Sequence, residues 1–225
     1  MDWSGDWSGN WRGNWSELLS SRGARLSLKA GGIALVLAVL GVAGWLWLRA
    51  EDSRGQVALA ASSELVQLAD GPQATPDARA KAIAALQLVL AQHGRSSAAV
   101  QAAYELGNLQ FQAGDYAAAR GAYELTLAKG ASGSLRTLAA SGVGYTWEAE
   151  KNYASAVTAY EAVARAVPTG QFFFEDALLD LARAQALAGK PADAVATYER
   201  LLKDAPDTRR AADIRARIAA LQPRK

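Results

Sequence analysis

The sequence predicts an all-α protein: a single transmembrane helix, then an α-solenoid of three to four helix pairs closed by a C-terminal capping helix. Three observations carry this expectation. Alanine dominates a chain that is 51% hydrophobic and has only six prolines, and alanine is the strongest helix former. The run from Ala30 to Leu48 contains no charged side chain. Beyond it the chain repeats itself with a period of 37 to 38 residues, as stacked helical units do. The expected organisation is a tryptophan-rich tail over 1–25, a membrane helix over 26–50, a juxtamembrane stalk and linker over 51–76, and a repeat domain over 77–225.

The tail reads DWSG, DWSG, NWRG, NWSE, with Trp3, Trp7, Trp11 and Trp15 at every fourth position. On a helix these indoles would spread over roughly 120°, one broad face. Gly5, Gly9 and Gly13 recur with the same step, and each costs about 1 kcal/mol of helix stability. The tail is therefore expected to be disordered in water and to gain structure only on a surface. A lipid interface would suit the indoles. A protein partner would suit them as well, and the absence of any specific role is the third reading. Asp2, Asp6 and Glu17 outweigh Arg12, so anionic lipid would not draw the tail in strongly.

The apolar run that follows is long enough, at 1.5 Å per residue, to cross the roughly 30 Å hydrocarbon core of a bilayer. A buried soluble helix and a cleaved signal peptide are the alternatives. Gly41 and Ala43 would suit cleavage, but the run continues through Trp45, Leu46, Trp47 and Leu48, which favours a retained anchor. Arg12, Arg22, Arg25 and Lys29 precede the span, whereas the charges of Arg49, Glu51, Asp52 and Arg54 cancel. The positive-inside rule then puts the N-terminus in the cytoplasm and the large C-terminal part outside it, in the periplasm of a bacterium. Trp45 and Trp47 fall where interfacial aromatics belong.

Past the span, three stretches align without gaps: GDYAAARGAYE from Gly114, KNYASAVTAYE from Lys151 and GKPADAVATYE from Gly189. Ala119, Ala156 and Ala194 correspond, as do Tyr123, Tyr160 and Tyr198. One period earlier, Ala82 and Leu86 keep the phase, which points to a degenerate fourth unit. Twelve residues before each alanine stands another small residue, Gly107, Gly144 or Ala182. Small residues at that spacing let two antiparallel helices approach closely, and the aromatic fills the space towards the next unit. Pro168 and Pro206 stop the second and third units. Helices are expected near 26–69, 77–92, 96–113, 116–129, 134–150, 153–166, 171–188, 191–204 and 207–221, with Asp115, Asn152 and Asp207 as caps. The last has Ala211, Ile214, Ile218 and Leu221 on one face and arginines on the other, as a terminal cap requires.

This pattern resembles the tetratricopeptide repeat (TPR) family over about 96–206, extending to 77 if the degenerate unit counts. Gly144, Trp147, Ala156, Tyr160 and Pro168 match the family's small, aromatic, alanine, aromatic and proline positions; the first unit lacks the proline, and the period exceeds the usual 34. The resemblance implies a groove lined by the first helix of each pair. Carried over, the groove-facing residues are Gln101, Tyr104, Asn108 and Phe111, then Leu138, Ser141, Tyr145 and Glu148, then Asp176, Leu179, Arg183 and Ala186. Aromatics and amides with few charges suit a peptide segment, though any one of these side chains could equally pack between repeats. A carboxylate clamp of the family type is not expected, because Tyr104, Ser141 and Leu179 stand where lysine would. The layout of one span plus an exported TPR domain is similar to the ancillary subunit family of the bacterial Sec translocon. That similarity implies a scaffold or adaptor in envelope protein export or assembly. The alternative is a fixed accessory subunit of a larger membrane complex.

Chemistry is not expected. The chain has no cysteine and one histidine, and His93 beside Gly94 reads as an ordinary polar helix end. No ligand cluster of metal-site type, phosphate loop or nucleophile elbow is present in the sequence, so no cofactor and no small-molecule substrate are expected. A formal charge of +2 without a basic block argues against nucleic acid. The expected partners are proteins and the lipid bilayer. Gln171-Phe172-Phe173-Phe174 is the remaining oddity: three adjacent aromatics cannot share one helix stripe, so either some are exposed as a contact patch or they are buried at a helix start.

Overall fold

The computed structural model describes residues 22–71 and 74–222. Nine helices follow one another in this part of the chain. They are α1 (Arg22–Asp70), α2 (Pro76–Gln92), α3 (Ala98–Gln112), α4 (Tyr116–Ala128), α5 (Gly133–Ala149), α6 (Tyr153–Ala166), α7 (Phe174–Leu187), α8 (Pro191–Asp204) and α9 (Ala211–Leu221). The tail that carries Trp3, Trp7, Trp11 and Trp15 lies outside the described residues.

The chain divides into two units at Ala50/Glu51. In the first, the stretch from Gly32 is helical, long and apolar enough to cross a membrane. Its side chains are exposed, with Leu35 at 67% and Leu40 at 62%, unlike those of a helix buried in a soluble core. The Arg49 guanidinium lies over the Trp45 ring at 4.6 Å, a cation–π contact one helical turn apart.

The second unit is a run of helix pairs. Residues 51–70 of α1 pack on α2 and α3 around Ala69, Ala82, Leu86, Val89, Leu106 and Leu109, so the stretch read as a stalk supplies the first helix of the first pair. The next three pairs are α3/α4, α5/α6 and α7/α8, each joined by a three-residue turn. Those turns share one geometry. Gly114, Lys151 and Gly189 occupy equivalent positions with φ of 80°, 60° and 73°, and the following residue donates to a carbonyl five back, as in Asp115 N to Gln110 O and Asn152 N to Trp147 O. This left-handed exit satisfies carbonyls that the helix end would strand. Helix α9 then lays Ile214 into the last core cluster, with Ile218 and Leu221 beside it.

Glycine and tyrosine set the distance between helices. A Cβ on Gly107 would sit 2.6 Å from the Tyr123 ring, and one on Gly142 of the next pair 2.8 Å from the same ring. Tyr123 is thus held between two glycines on successive units. Tyr160, fully buried, meets Gly144 in the same way, at 2.3 Å from a would-be Cβ. The small residues therefore admit the ring of the aromatic position.

Helix α1 begins at Arg22 rather than near 26, and in the repeat domain helix starts depart from the sequence reading by more than one residue in three places. Helix α3 begins at Ala98 rather than near 96, because Ser96 is buried and its hydroxyl donates to the His93 carbonyl, closing a turn. Helix α7 begins at Phe174 rather than 171, because Gln171 and Phe174 donate into a turn after Pro168. Helix α9 begins at Ala211 rather than 207, and Asp207 is not its cap. There Thr208 takes the local bonds, accepting from the Arg210 amide at 3.2 Å and donating to Glu175 at 2.7 Å. Asp115 and Asn152 do cap α4 and α6, each accepting from the amide three residues on.

Candidate partner-binding surface

The residues expected to face a groove lie on α3, α5 and α7, the first helices of three successive pairs. On α3, Gln101 is exposed and lines a cleft of about 390 Å³ with Gln56, Leu59, Val66 and Glu105. Tyr104 is half-buried, its ring 5.9 Å from that of Tyr123, and burial pushes its hydroxyl pKa up. The Tyr123 hydroxyl donates to Asn108 Oδ1 at 3.0 Å. Phe111 tilts against Tyr116 at 5.2 Å. Between Asp70 and Asn108, the half-buried Glu105 carboxyl is raised above the usual range by loss of water, and the Asp70 charge adds to this while Asn108 opposes it.

On α5 and α7 the expected residues bind one another. The Tyr145 hydroxyl donates to Asp180 Oδ2 at 2.6 Å. Arg183 grips Glu148 with two nitrogens, at 2.8 and 2.9 Å, and reaches Asp180 with a third at 2.8 Å. The Tyr160 hydroxyl completes the set, donating to Glu148 at 3.1 Å. Fork-to-carboxylate pairing of this kind is the strong form of a charged hydrogen bond. Burial pushes the Asp180 carboxyl up, against the pull of Tyr145 and Arg183. It also pushes Tyr145 and Tyr160 well above the ordinary phenol value. The neighbouring carboxylates outweigh burial at Arg183 and raise it further.

The remaining expected residues are more open. Ser141 and Leu179 are half-buried, Ala186 is partly covered, and Leu138 is 38% exposed. Asp176 pairs with Arg210 at the start of α9. One contact crosses units away from this set: Arg120 lies 3.5 Å above the Trp147 ring and bonds Glu150 at 2.7 Å. His93 caps the end of α2 and lies 3.1 Å from Glu51.

Sequence reasoning missed Asp180 and Glu105. Both stand in phase with Gly142, Asp180 38 residues after it and Glu105 37 residues before it, so a carboxylate on either side of a position that takes glycine in the middle unit was a usable signal. The burial of Glu105 itself was not legible, because it depends on 51–70 packing beside α3.

The arrangement offers hydrogen-bonding amides, phenols and one cation in a shallow groove. That set can hold a protein segment. Comparisons agree with this architecture. One family model described as Tetratricopeptide repeat matches residues 148–218, and a second of the same description matches 78–134. No curated protein matches the chain. Among solved structures, a putative kinesin light chain from Podosopora anserina with nearly identical TPR-like repeats superposes with a TM-score of 0.57 at 17% identity, over 76% of this chain and 85% of that one. The MamA protein gives 0.54 at 19% identity, over 74% and 79%. MamA from Desulfovibrio magneticus RS-1 gives 0.53 at 16% identity, over 74% and 94%. These likenesses concern the fold alone. With both family matches falling on the helix pairs described above, this chain carries tetratricopeptide repeats.

Proposed function

We propose that the protein is a membrane-anchored scaffold of the bacterial envelope, presenting its repeat domain in the periplasm to protein partners. The observation that carries this reading is the pairing, on one chain, of a tetratricopeptide-repeat domain with an exposed apolar helix of membrane length. The groove-facing set from Gln101 to Arg183 is the proposed contact surface, with Gln101, Leu138 and Tyr145 its most open members. Flanking charge supports an N-terminus in the cytoplasm, which would leave the tryptophan tail to lipid or to a cytoplasmic partner.

Two measurements test it. Leu37→Arg places a charge at the centre of the span, at a cost of about 3 kcal/mol to insertion; the variant should become extractable by alkaline carbonate while the parent stays in the membrane. Extraction of the parent as well would remove the anchor. Gentle detergent purification from native membranes, followed by mass spectrometry, addresses the role. A varied set of export factors and envelope clients fits an adaptor.

A second reading, a fixed accessory subunit, has its own support. Tyr145, Glu148 and Arg183 already bond to each other and to Asp180, as in a surface that is structural over its second half. Recovery of one set of membrane subunits at integral ratios would favour it.

A further inference from the structure

A second recess is lined by none of the residues expected to face the groove, although its Phe172 also borders a recess with Asp176. A cleft of about 600 Å³ lies between the end of α4, the first turns of α5, the last turns of α6 and the turn that follows. Its walls are largely apolar, with Leu127, Ala140, Val163, Pro168, Phe172 and Phe173 among them. Phe172 is 86% exposed, although Phe174, two residues on, is buried. The turn that carries it is hydrogen-bonded, Gln171 N to Pro168 O at 3.2 Å and Phe174 N to Gln171 O at 3.0 Å, and the ring stands edge-on to Phe173 at 5.0 Å. An aromatic ring held out in water by an ordered turn, beside an apolar recess, has the form of an interface anchor.

The charge at this cleft has one sign. Arg136 is exposed on its wall and pairs with no carboxylate among the described residues. No carboxylate lines the cleft.

We propose that this cleft docks a protein segment that seats one or two large apolar side chains against Val163 and Phe172 and sets a carboxylate on Arg136. The site is separate from the groove-facing set, so it stands or falls independently of the groove.

The test pans a random dodecapeptide phage library on the full-length protein in detergent. Enriched sequences are resynthesised with a dye and titrated by fluorescence anisotropy. The expected peptides join aromatic or aliphatic residues to Asp or Glu. Arg136→Glu should weaken them tenfold or more and should bind versions whose acids are replaced by lysine. Phe172→Ala should weaken both kinds. Both positions are exposed, and circular dichroism checks that the variants stay folded. Three results would overturn the proposal: no acidic–apolar enrichment, binding indifferent to both substitutions, or self-association of the protein that Phe172→Ala abolishes. The last would give the cleft to a second copy of this chain.

Discussion

Lys151 adopts the left-handed backbone that Gly114 and Gly189 take in the other two tight turns. For a residue with a Cβ that conformation costs roughly 1 to 2 kcal/mol. Lys151→Gly should therefore raise stability by about 1 kcal/mol, seen as a higher urea midpoint by circular dichroism. Gly144→Ala should do the reverse. Alanine favours a helix by about 1 kcal/mol, but its methyl would meet the fully buried Tyr160 ring at 2.3 Å. Overpacking of that kind costs about 1–3 kcal/mol, and the gain in propensity offsets only part of it. Gly121, also helical but with open space around it, is the control: Gly121→Ala should stabilise. A melting point for Gly144→Ala at or above that of the parent would mean that the ring has room to shift.

At the scale of elements, caps decide where helices begin. Asp115→Ala and Asn152→Ala each remove an acceptor from a first-turn amide and should cost about 1 kcal/mol. Asp207→Ala should change stability by less than about 0.5 kcal/mol, since Thr208 holds that turn. The same contrast shows what could be read in advance. Helices α2, α4, α6 and α8 were legible nearly to the residue, because a cap or a Thr-Pro or Lys-Pro start opens each one and an in-phase alanine and aromatic (Leu86 in α2) follow. The starts of α7 and α9 were not. Three phenylalanines in a row have no helical period, and an aspartate after proline looks like a cap whether or not its side chain reaches an amide. The positions expected to face a groove were carried over from the family resemblance. That Tyr145, Glu148 and Arg183 among them bond across units was not legible, because Asp180 and Arg183 meet Tyr145 and Glu148 only once two pairs are stacked.

Across the whole repeat domain, the seams between units are not alike. The seam from α3/α4 to α5/α6 is a tyrosine between two glycines, with Tyr104, Phe111 and Val143 around it. The seam from α5/α6 to α7/α8 carries three phenol or guanidinium donors and two carboxylates. Asp180 is the proton-sensitive member. Its folded pKa lies above the ordinary 3.8 because of burial, so the folded state holds the proton more tightly than the unfolded one. The contribution of this group to stability is greatest below 3.8 and declines as pH rises through the folded value. The urea midpoint of the parent, relative to Asp180→Asn, should therefore be higher at pH 4 than at pH 7.5. An equal difference at both values would show that Asp180 titrates as it does in the unfolded chain.

A solenoid whose units touch only their neighbours has no global core to average such differences away. The array is closer to a short chain of links than to a globule, and its links differ in chemistry. Salt or a competing cation would act most on the joint between the second and third pairs counted from α3, where one guanidinium meets two carboxylates, and less on the joint before it, whose ion pair is the single Arg120–Glu150 contact.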